Sequence, residues 1–549
     1  MTTSDTFVNR LFSIRNVYGK KSASEKIQLL KSININAQRN KRATQSLYNT
    51  LQFLIAYPDN KTIYKLSNQL FLNLQNYIKT NDKLRSGLYN SGITYTSICA
   101  AFSFEPVKWM RRTRPNEIWF DSSKADDAQI QSILSVVMAK TESEIFQDAN
   151  EEWKGWLQHL RRKDEDLLDQ LIAIFDSTDI RPEVRDELWN NLGIYVEIIF
   201  TSHCCLPKSL IRLYFHSSLI RKDVKRQIPT FTYTPARITE NESEQIIACS
   251  RMIMMGFIRE IDPINFTSAE LVSYYYLPRG FSIALMGMVP ERRHPIDSYM
   301  GYMVFKNGLP VAYAGSWILF DSGRIGLNVF SDYRGGESKY ILEQVLELHR
   351  RVYHLKRFTV DPYQIGKKNN DGIQSGAFWI YYHSGFRPIN KAQRELAAAE
   401  YLKIQAINRY RSPVVVLKKL ADSRQELVMQ RSAVRFDATD VSRAYAAIIT
   451  QRYNGNRRLA EKNAGKKLAG ILRIKNYQAE NMKFILKNWA PLLLSNEKEL
   501  VYNEGLKKIL NHLFTLKAVG SEEAYISGLQ KANDLRKFIE RLIKHYVIV

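Results

Sequence analysis

Arg324 to Arg350 reads RIGLNVFSDYRGGESKYILEQVLELHR, and Arg357 to Pro388 reads RFTVDPYQIGKKNNDGIQSGAFWIYYHSGFRP. The first piece opens on a β-type run, passes through a polar turn with two glycines, and closes on apolar residues at helical spacing, Ile341, Leu342, Val345, Leu346 and Leu348. In the second, RFTVDP predicts a short buried strand and GIQSGAFWIYYHSG a helix that closes the unit before Phe386. Strand, tight loop, helix, strand, loop, helix is the order expected of a phosphate-binding α/β unit.

Tyr333, Arg334, Gly335, Gly336, Glu337 and Ser338 fall where the first strand ends and its helix begins. Backbone N–H groups point outward from such a junction with the positive end of the helix behind them. Glycine removes the Cβ that would hold an anion off the backbone, Arg334 adds a charge-assisted contact, and the Ser338 hydroxyl is a further donor. The expected ligand is a pyrophosphate. Nucleotide hydrolysis and serine hydrolysis lack their own signatures, since neither GxxxxGK[ST] nor GxSxG occurs.

Outward from this stretch, FSIALMGMV, SYMGYMVFK, LPVAYAGSWILF and RIGLNVF predict four consecutive strands. Asn307-Gly308 and Asp321-Ser322-Gly323 supply the hairpin turns between the last three. Residues 1–228 read as an α-helical domain, with one amphipathic helix from Glu151 to Phe175 and a buried helix from Gly193. QIPTFTYTP, from Gln227, reads as a connector into a central domain over 229–390. Residues 391–549 return to helical texture and carry roughly twice as many basic as acidic side chains. The expected class is a mixed α/β (α+β) sheet domain flanked by large α-helical regions.

The chain has 549 residues, 45% of them hydrophobic, a net charge of +24 and a sequence pI near 9.6. That is enough apolar material for about three cores. The charge suits nucleic acid, phosphates or an anionic surface without choosing among them, and the basic C-terminal helices read first as solvated faces. Cys99, Cys204, Cys205 and Cys249 form no CxxC pair and the nine histidines form no HExxH, so no metal is expected. No window is apolar enough to span a membrane, and the first residues lack a secretory pattern, which reads as a cytoplasmic protein.

The central stretch, from about Phe281 to Pro388, resembles the GNAT superfamily of acyl-CoA-dependent N-acyltransferases. The resemblance rests on the element order, on the Arg334-Gly335-Gly336-Glu337-Ser338 loop, and on Ala377, Tyr381, Gly385 and Phe386 at the spacing of that superfamily's NxxAxxxYxxxGF segment. The loop is one residue shorter than the commonest YRGxGxG form, and Gln374 stands where Asn is usual. The resemblance implies a mostly antiparallel sheet and transfer of an acetyl or other acyl group from CoA to the amine of a small molecule or protein, without metal. It implies that the loop holds the CoA pyrophosphate, that Leu327, Asn328, Val329 and Phe330 present backbone N–H groups to the pantetheine and the oxyanion, and that Tyr381 protonates the departing thiolate. Asp361, Asp332 and Asp321 are the acids near enough in sequence to serve as general base, and Arg292, Arg293 and His294 lie where they could meet an acidic acceptor. Two other readings are a degenerate binding or assembly module and a transferase that uses aminoacyl-tRNA as donor.

Overall fold

The computed structural model describes residues 3–37, 40–148, 152–160, 165–221, 233–431 and 434–547. Among the described residues, twelve strands form two sheets. The smaller has β1 (Ser97–Ala101), β2 (Ile118–Phe120) and β3 (Tyr195–Ile199) in the order β1-β3-β2, antiparallel throughout. The larger contains β4 (Val272–Tyr276), β5 (Phe281–Met286), β6 (Ser298–Lys306), β7 (Leu309–Leu319), β8 (Ser322–Ile325), β9 (Asn328–Val329), β10 (Arg357–Val360), β11 (Arg387–Pro388) and β12 (Gln425–Val428). Its order is β11-β12-β10-β8-β7-β6-β5-β4, with β9 beside β7. Among the described strands, only β8 and β10 run parallel.

The four predicted strands are present, preceded by β4, whose SYYY run the sequence reading passed over. Asn307 and Gly308 both take positive φ, 47° and 86°, as a two-residue hairpin turn matched to strand twist requires. The next turn falls one residue earlier than expected, on Phe320 and Asp321, because Leu319 already pairs with Ser322. RIGLNVF is two strands, broken after Ile325. The helix predicted over GIQSGAFWIYYHSG is also two, Asn370–Gln374 and Ala377–His383, separated by Gly376 at φ 66°. The long helix Ser338–Val352 forms as expected, with Tyr340, Ile341, Leu342, Val345 and Leu348 buried on the sheet.

The flanks depart further from expectation. Residues 1–228 are not one helical domain. Helices Thr3–Ile14, Lys20–Ser32, Lys41–Ala56 and Lys61–Thr80 bury Val8, Leu11, Leu47, Leu51 and Leu54 in the same core as Tyr302, Phe305 and Phe358 of the large sheet. Residues from Ile98 to Phe200 build a second core around the small sheet, and Met252 and Met255 join it. The helix expected from Gly193 is strand β3, in which Val196 and Ile198 are buried and Tyr195 is exposed: period two, not 3.6. The helix expected from Glu151 is split into Trp153–Leu160 and Leu167–Ser177, the second started by a capping box of Asp166 and Asp169. The connector QIPTFTYTP lies mostly outside the described residues.

Past residue 390 the chain is not wholly helical either. β12 lies between β10 and β11, so the large sheet ends beyond the expected boundary. Helices from Ala438 to Val547 then form a third core that also takes in Leu319 and Phe320.

His349, on the helix over the sheet, is fully buried between the Val345 carbonyl, to which Nδ1 donates at 2.8 Å, and Ser316 Oγ, 3.1 Å from Nε2. Burial lowers its pKa to about 4. Its folded-state pKa is depressed, so its contribution to stability is full above about 6.5, the ordinary histidine value, and is lost as pH falls toward 4. His349→Gln therefore destabilises the protein at pH 7.5, and the penalty shrinks by about 3 kcal/mol by pH 4. Denaturant titrations of both proteins at several pH values check this; a constant difference overturns it.

Candidate functional site

β8 pairs with β10 only from Ser322 to Arg324. Beyond Ile325 the chain leaves β10, and β9 pairs with β7 alone. β10 itself ends at Val360, just before Asp361-Pro362. The two strands thus splay, and an open cleft of about 560 Å³ lies in the gap. Leu327, Asn328, Val329 and Phe330 form one wall; Arg334, Gly335 and Ser338 the floor; Tyr363, Gln364, Asp371, Ala377 and Tyr381 the opposite wall; and Phe257, Arg259, Glu260 and Tyr313 the far end.

The strand wall does not offer all four expected donors. The Phe330 N–H donates to the Val311 carbonyl at 3.0 Å, so it faces β7. Strand alternation turns Asn328 the same way and leaves the Leu327 and Val329 amides facing the gap. The Leu327 carbonyl does face it, accepting from Gln364 Nε2 at 2.9 Å, and Gln364 also reaches Asn328 Oδ1 at 3.3 Å. Gln364 is thus a bridge across the splay that the sequence reading missed. A Cβ on Gly326 would lie 2.9 Å from Gln364 Oε1, so a side chain at the break would displace the end of this bridge.

The glycine loop has an open face and a packed face. Ser338 opens a fifteen-residue helix whose N-terminal residue, Glu337, makes no side-chain cap, so its first amides keep donors for a ligand in the cleft. Arg334 reaches across the mouth to Asp371 at 3.4 Å, and both are largely exposed. Gly335 has φ 89°, and its carbonyl, turned away from the cleft, accepts from Arg221 at 2.8 Å and Asn16 at 3.3 Å.

Gly336 and Glu337 do not line the cleft. A Cβ on Gly336 would meet the Tyr57 ring at 2.9 Å, so this glycine admits an aromatic side chain from the N-terminal helices instead of a phosphate. Glu337 is buried, and its Oε1 accepts from Arg279 at 2.7 Å and from the Ile220 amide at 2.7 Å. Arg279 also contacts His216 Nδ1 at 3.0 Å and donates to the Ser218 carbonyl at 2.8 Å. Lys306 is buried below them, its ammonium donating to the Arg279 carbonyl and facing the rings of Phe281, Tyr57 and Tyr214. Burial pushes its pKa well below the ordinary lysine value.

Tyr381 lies in the wall as expected. It is fully buried, and its hydroxyl makes no well-formed hydrogen bond among the described residues, although the Leu327 backbone and Gln364 lie beside it. Burial raises its pKa, with the Leu327 backbone and Gln364 side chain acting in the opposite sense, so the phenol holds its proton at neutral pH. A buried hydroxyl without a partner costs about 1–3 kcal/mol, which a ligand atom in the cleft would recover.

None of the three expected base candidates lines the cleft. Asp361 is clamped between Arg424 at 3.0 Å and Arg324 at 3.3 Å. Asp321 accepts from the Val434 amide at 2.9 Å and pairs with Lys356 at 3.2 Å. Asp332, whose pKa burial raises to about 6, sits on the one-turn helix that packs against Lys41–Ala56. Two carboxylates do line the cleft: Asp371, tied to Arg334, and Glu260, in the loop after helix Glu240–Gly256. No motif marked Glu260. Arg292 and Arg293 are engaged within the chain: the first pairs with Asp186 and Glu105, and the second donates to the carbonyls of Met288, Lys517 and Gly520.

Comparison with protein-family models, curated proteins and solved structures finds no match. Among the described residues no group of histidine, cysteine and carboxylate side chains suits a metal ion, and no helix is long and apolar enough to cross a membrane.

The two faces of the loop make separable predictions. Glu337→Ala strands Arg279 without its carboxylate and lowers unfolding free energy by about 3 kcal/mol or more. Ser338→Ala removes only a hydroxyl on the open face and changes it by less than about 0.5 kcal/mol. Urea denaturation of the two variants at pH 7.5 distinguishes them, and equal losses would contradict the assignment.

Proposed function

We propose that the chain is an acyl-CoA-dependent N-acyltransferase, with acetyl the simplest acyl group. The observation that carries this reading is the unpartnered, protonated Tyr381 hydroxyl in the wall of a cleft that also holds an uncapped helix N-terminus and two outward strand amides. These are the three parts that thioester aminolysis needs in one place. The helix N-terminus and Arg334 meet the pyrophosphate. Leu327 and Val329 donate to the pantetheine and to the oxygen that becomes negative in the tetrahedral intermediate. Tyr381 gives its proton to the sulfur as the C–S bond breaks. The neutral amine nitrogen forms the C–N bond, and its surplus proton returns to the phenolate. In the balance, an ammonium and acetyl-CoA give an amide, CoA and one proton.

The basic character of the chain favours an RNA-borne donor less than it first suggests. Arg293, Lys306 and Lys517 are buried in structural bonds and offer no charge to a polyanion, and the half-buried Arg279 is neutralised by Glu337.

Calorimetric titration with acetyl-CoA is the direct test. Saturable binding by the wild type, abolished in Ser338→Trp, which fills the cleft floor, is the expected result. Tyr381→Phe keeps acetyl-CoA affinity within about twofold but slows thiol release with an amine acceptor by about 100-fold. A folded wild type that binds no acetyl-CoA would refute the reading.

A further inference from the structure

Glu260 lines two cavities. One is the cleft just described; the other, about 380 Å³, belongs to the unit built on β1–β3 and is walled by Ala101, Phe102, Ser103, Trp189, Asn190 and Ile194. The carboxylate stands between them and is firmly held. Oε1 accepts from the Ser103 amide at 3.0 Å, and Oε2 accepts from the Ser103 hydroxyl and from Asn265 Nδ2 at 2.9 Å. Ser103 is the N-terminal residue of helix Phe104–Thr113 and makes no side-chain cap of its own, so Glu260 faces the positive end of that helix.

These bonds fix the side chain without neutralising it. Among the described residues no lysine or arginine is ion-paired with Glu260, although it is mostly withdrawn from solvent and buried charges normally carry a counter-ion. Oε1, which accepts only from the Ser103 amide, has room for a further donor. The group that suits the position is a cation arriving from outside, and the second cavity has the walls to carry it: Ala101, Phe102, Trp189 and Ile194 are apolar, and Asn190 is exposed at the mouth.

We propose that this second cavity receives the acceptor, an aliphatic primary amine whose carbon chain lies along Phe102, Trp189 and Ile194 with its ammonium on Glu260. The proton passes from nitrogen to the Glu260 carboxylate and on to solvent, and the freed lone pair attacks the thioester carbon in the adjoining cleft. This rests on the acyltransferase reading and adds to it the acceptor class, its route and its base. Burial raises the pKa of Glu260 above the ordinary carboxylate range, against the pull of Ser103 and Asn265. Asp262, two residues on, acts in the same upward sense, and Arg259 is the cationic neighbour on the cleft side.

The test uses the full-length chain, acetyl-CoA and the n-alkylamines from ethylamine to hexylamine, with thiol release as the readout. Acetyl-CoA affinity is measured calorimetrically in every variant. Expected are a kcat/KM that rises with chain length, a fall of at least about 100-fold for hexylamine in E260Q with acetyl-CoA affinity unchanged, and loss of the acidic limb of the pH profile. Asn190→Trp, at an exposed position that does not threaten folding, raises KM for hexylamine at least about tenfold and leaves KM for acetyl-CoA alone. If acetyl-CoA binds but no alkylamine is acetylated, or both variants match the wild type, this acceptor assignment is overturned and the acyltransferase reading survives. If the wild type binds no acetyl-CoA, both fall.

Discussion

The geometry of the cleft depends on the loss of strand pairing after Arg324. Three rungs join β8 to β10, and then the chain turns from its neighbour while remaining bonded to β7 on the other side. Opening a sheet exposes amides and carbonyls that would cost about 1–3 kcal/mol each if left dry and unpaired. Part of that cost is met locally: the Tyr302 hydroxyl donates to the Gly326 carbonyl, and Gln364 donates to Leu327 and Asn328. What is left, the Val329 amide turned from β7 and the Leu327 amide beside the Tyr381 hydroxyl, is grouped on the faces of one cleft. Unspent hydrogen-bonding capacity concentrated there is the physical basis of the proposed thioester site.

Holding that opening requires the loop at its floor to stay still, and the anchor comes from outside the sheet. Glu337 ties the start of the long helix to Arg279 and to the backbone at Ile220, while Tyr57 fills the space a side chain at position 336 would need. Asn16 and Arg221 grip the Gly335 carbonyl from behind. The N-terminal helices are therefore part of the site's foundation, which is why their apolar faces share one core with the large sheet.

The sequence made the centre of this arrangement readable and left its edges obscure. Local signals sufficed for the hairpin at Asn307-Gly308, the strand-loop-helix at Arg334, and the position of Tyr381, because each depends on neighbours a few residues away. Two kinds of feature escaped. Gly336 and Glu337 look like ligand contacts in a glycine loop, and only the approach of Tyr57 and Arg279, distant in the chain, turns them inward. The strands β3 and β12 are short, and each finds its partners across long loops, so periodicity alone assigned their surroundings to helices. Glu260 had no motif to announce it, since its role comes from Ser103, more than 150 residues earlier.

Helix Glu240–Gly256 explains how a carboxylate so placed acquires a defined position. Ile246, Cys249 and Met254 pack into the core of the large sheet, whereas Met252 and Met255 pack into that of β1–β3. A helix held on two faces by two cores can neither roll nor slide without opening one of them, and close-packed interiors resist that. Its C-terminal end is therefore a fixed point between the units, and Glu260 follows four residues beyond it. Phe257 adds a second constraint by stacking on Phe330, at 4.6 Å between ring centres, where β9 leaves the sheet. The proposed donor wall and the proposed acceptor carboxylate are thus referenced to the same helix end. The separation between the proposed thioester and amine sites is set by core packing, not by the length of a surface loop, and on that reading the small sheet and its helices have a reason to be fused to the large one.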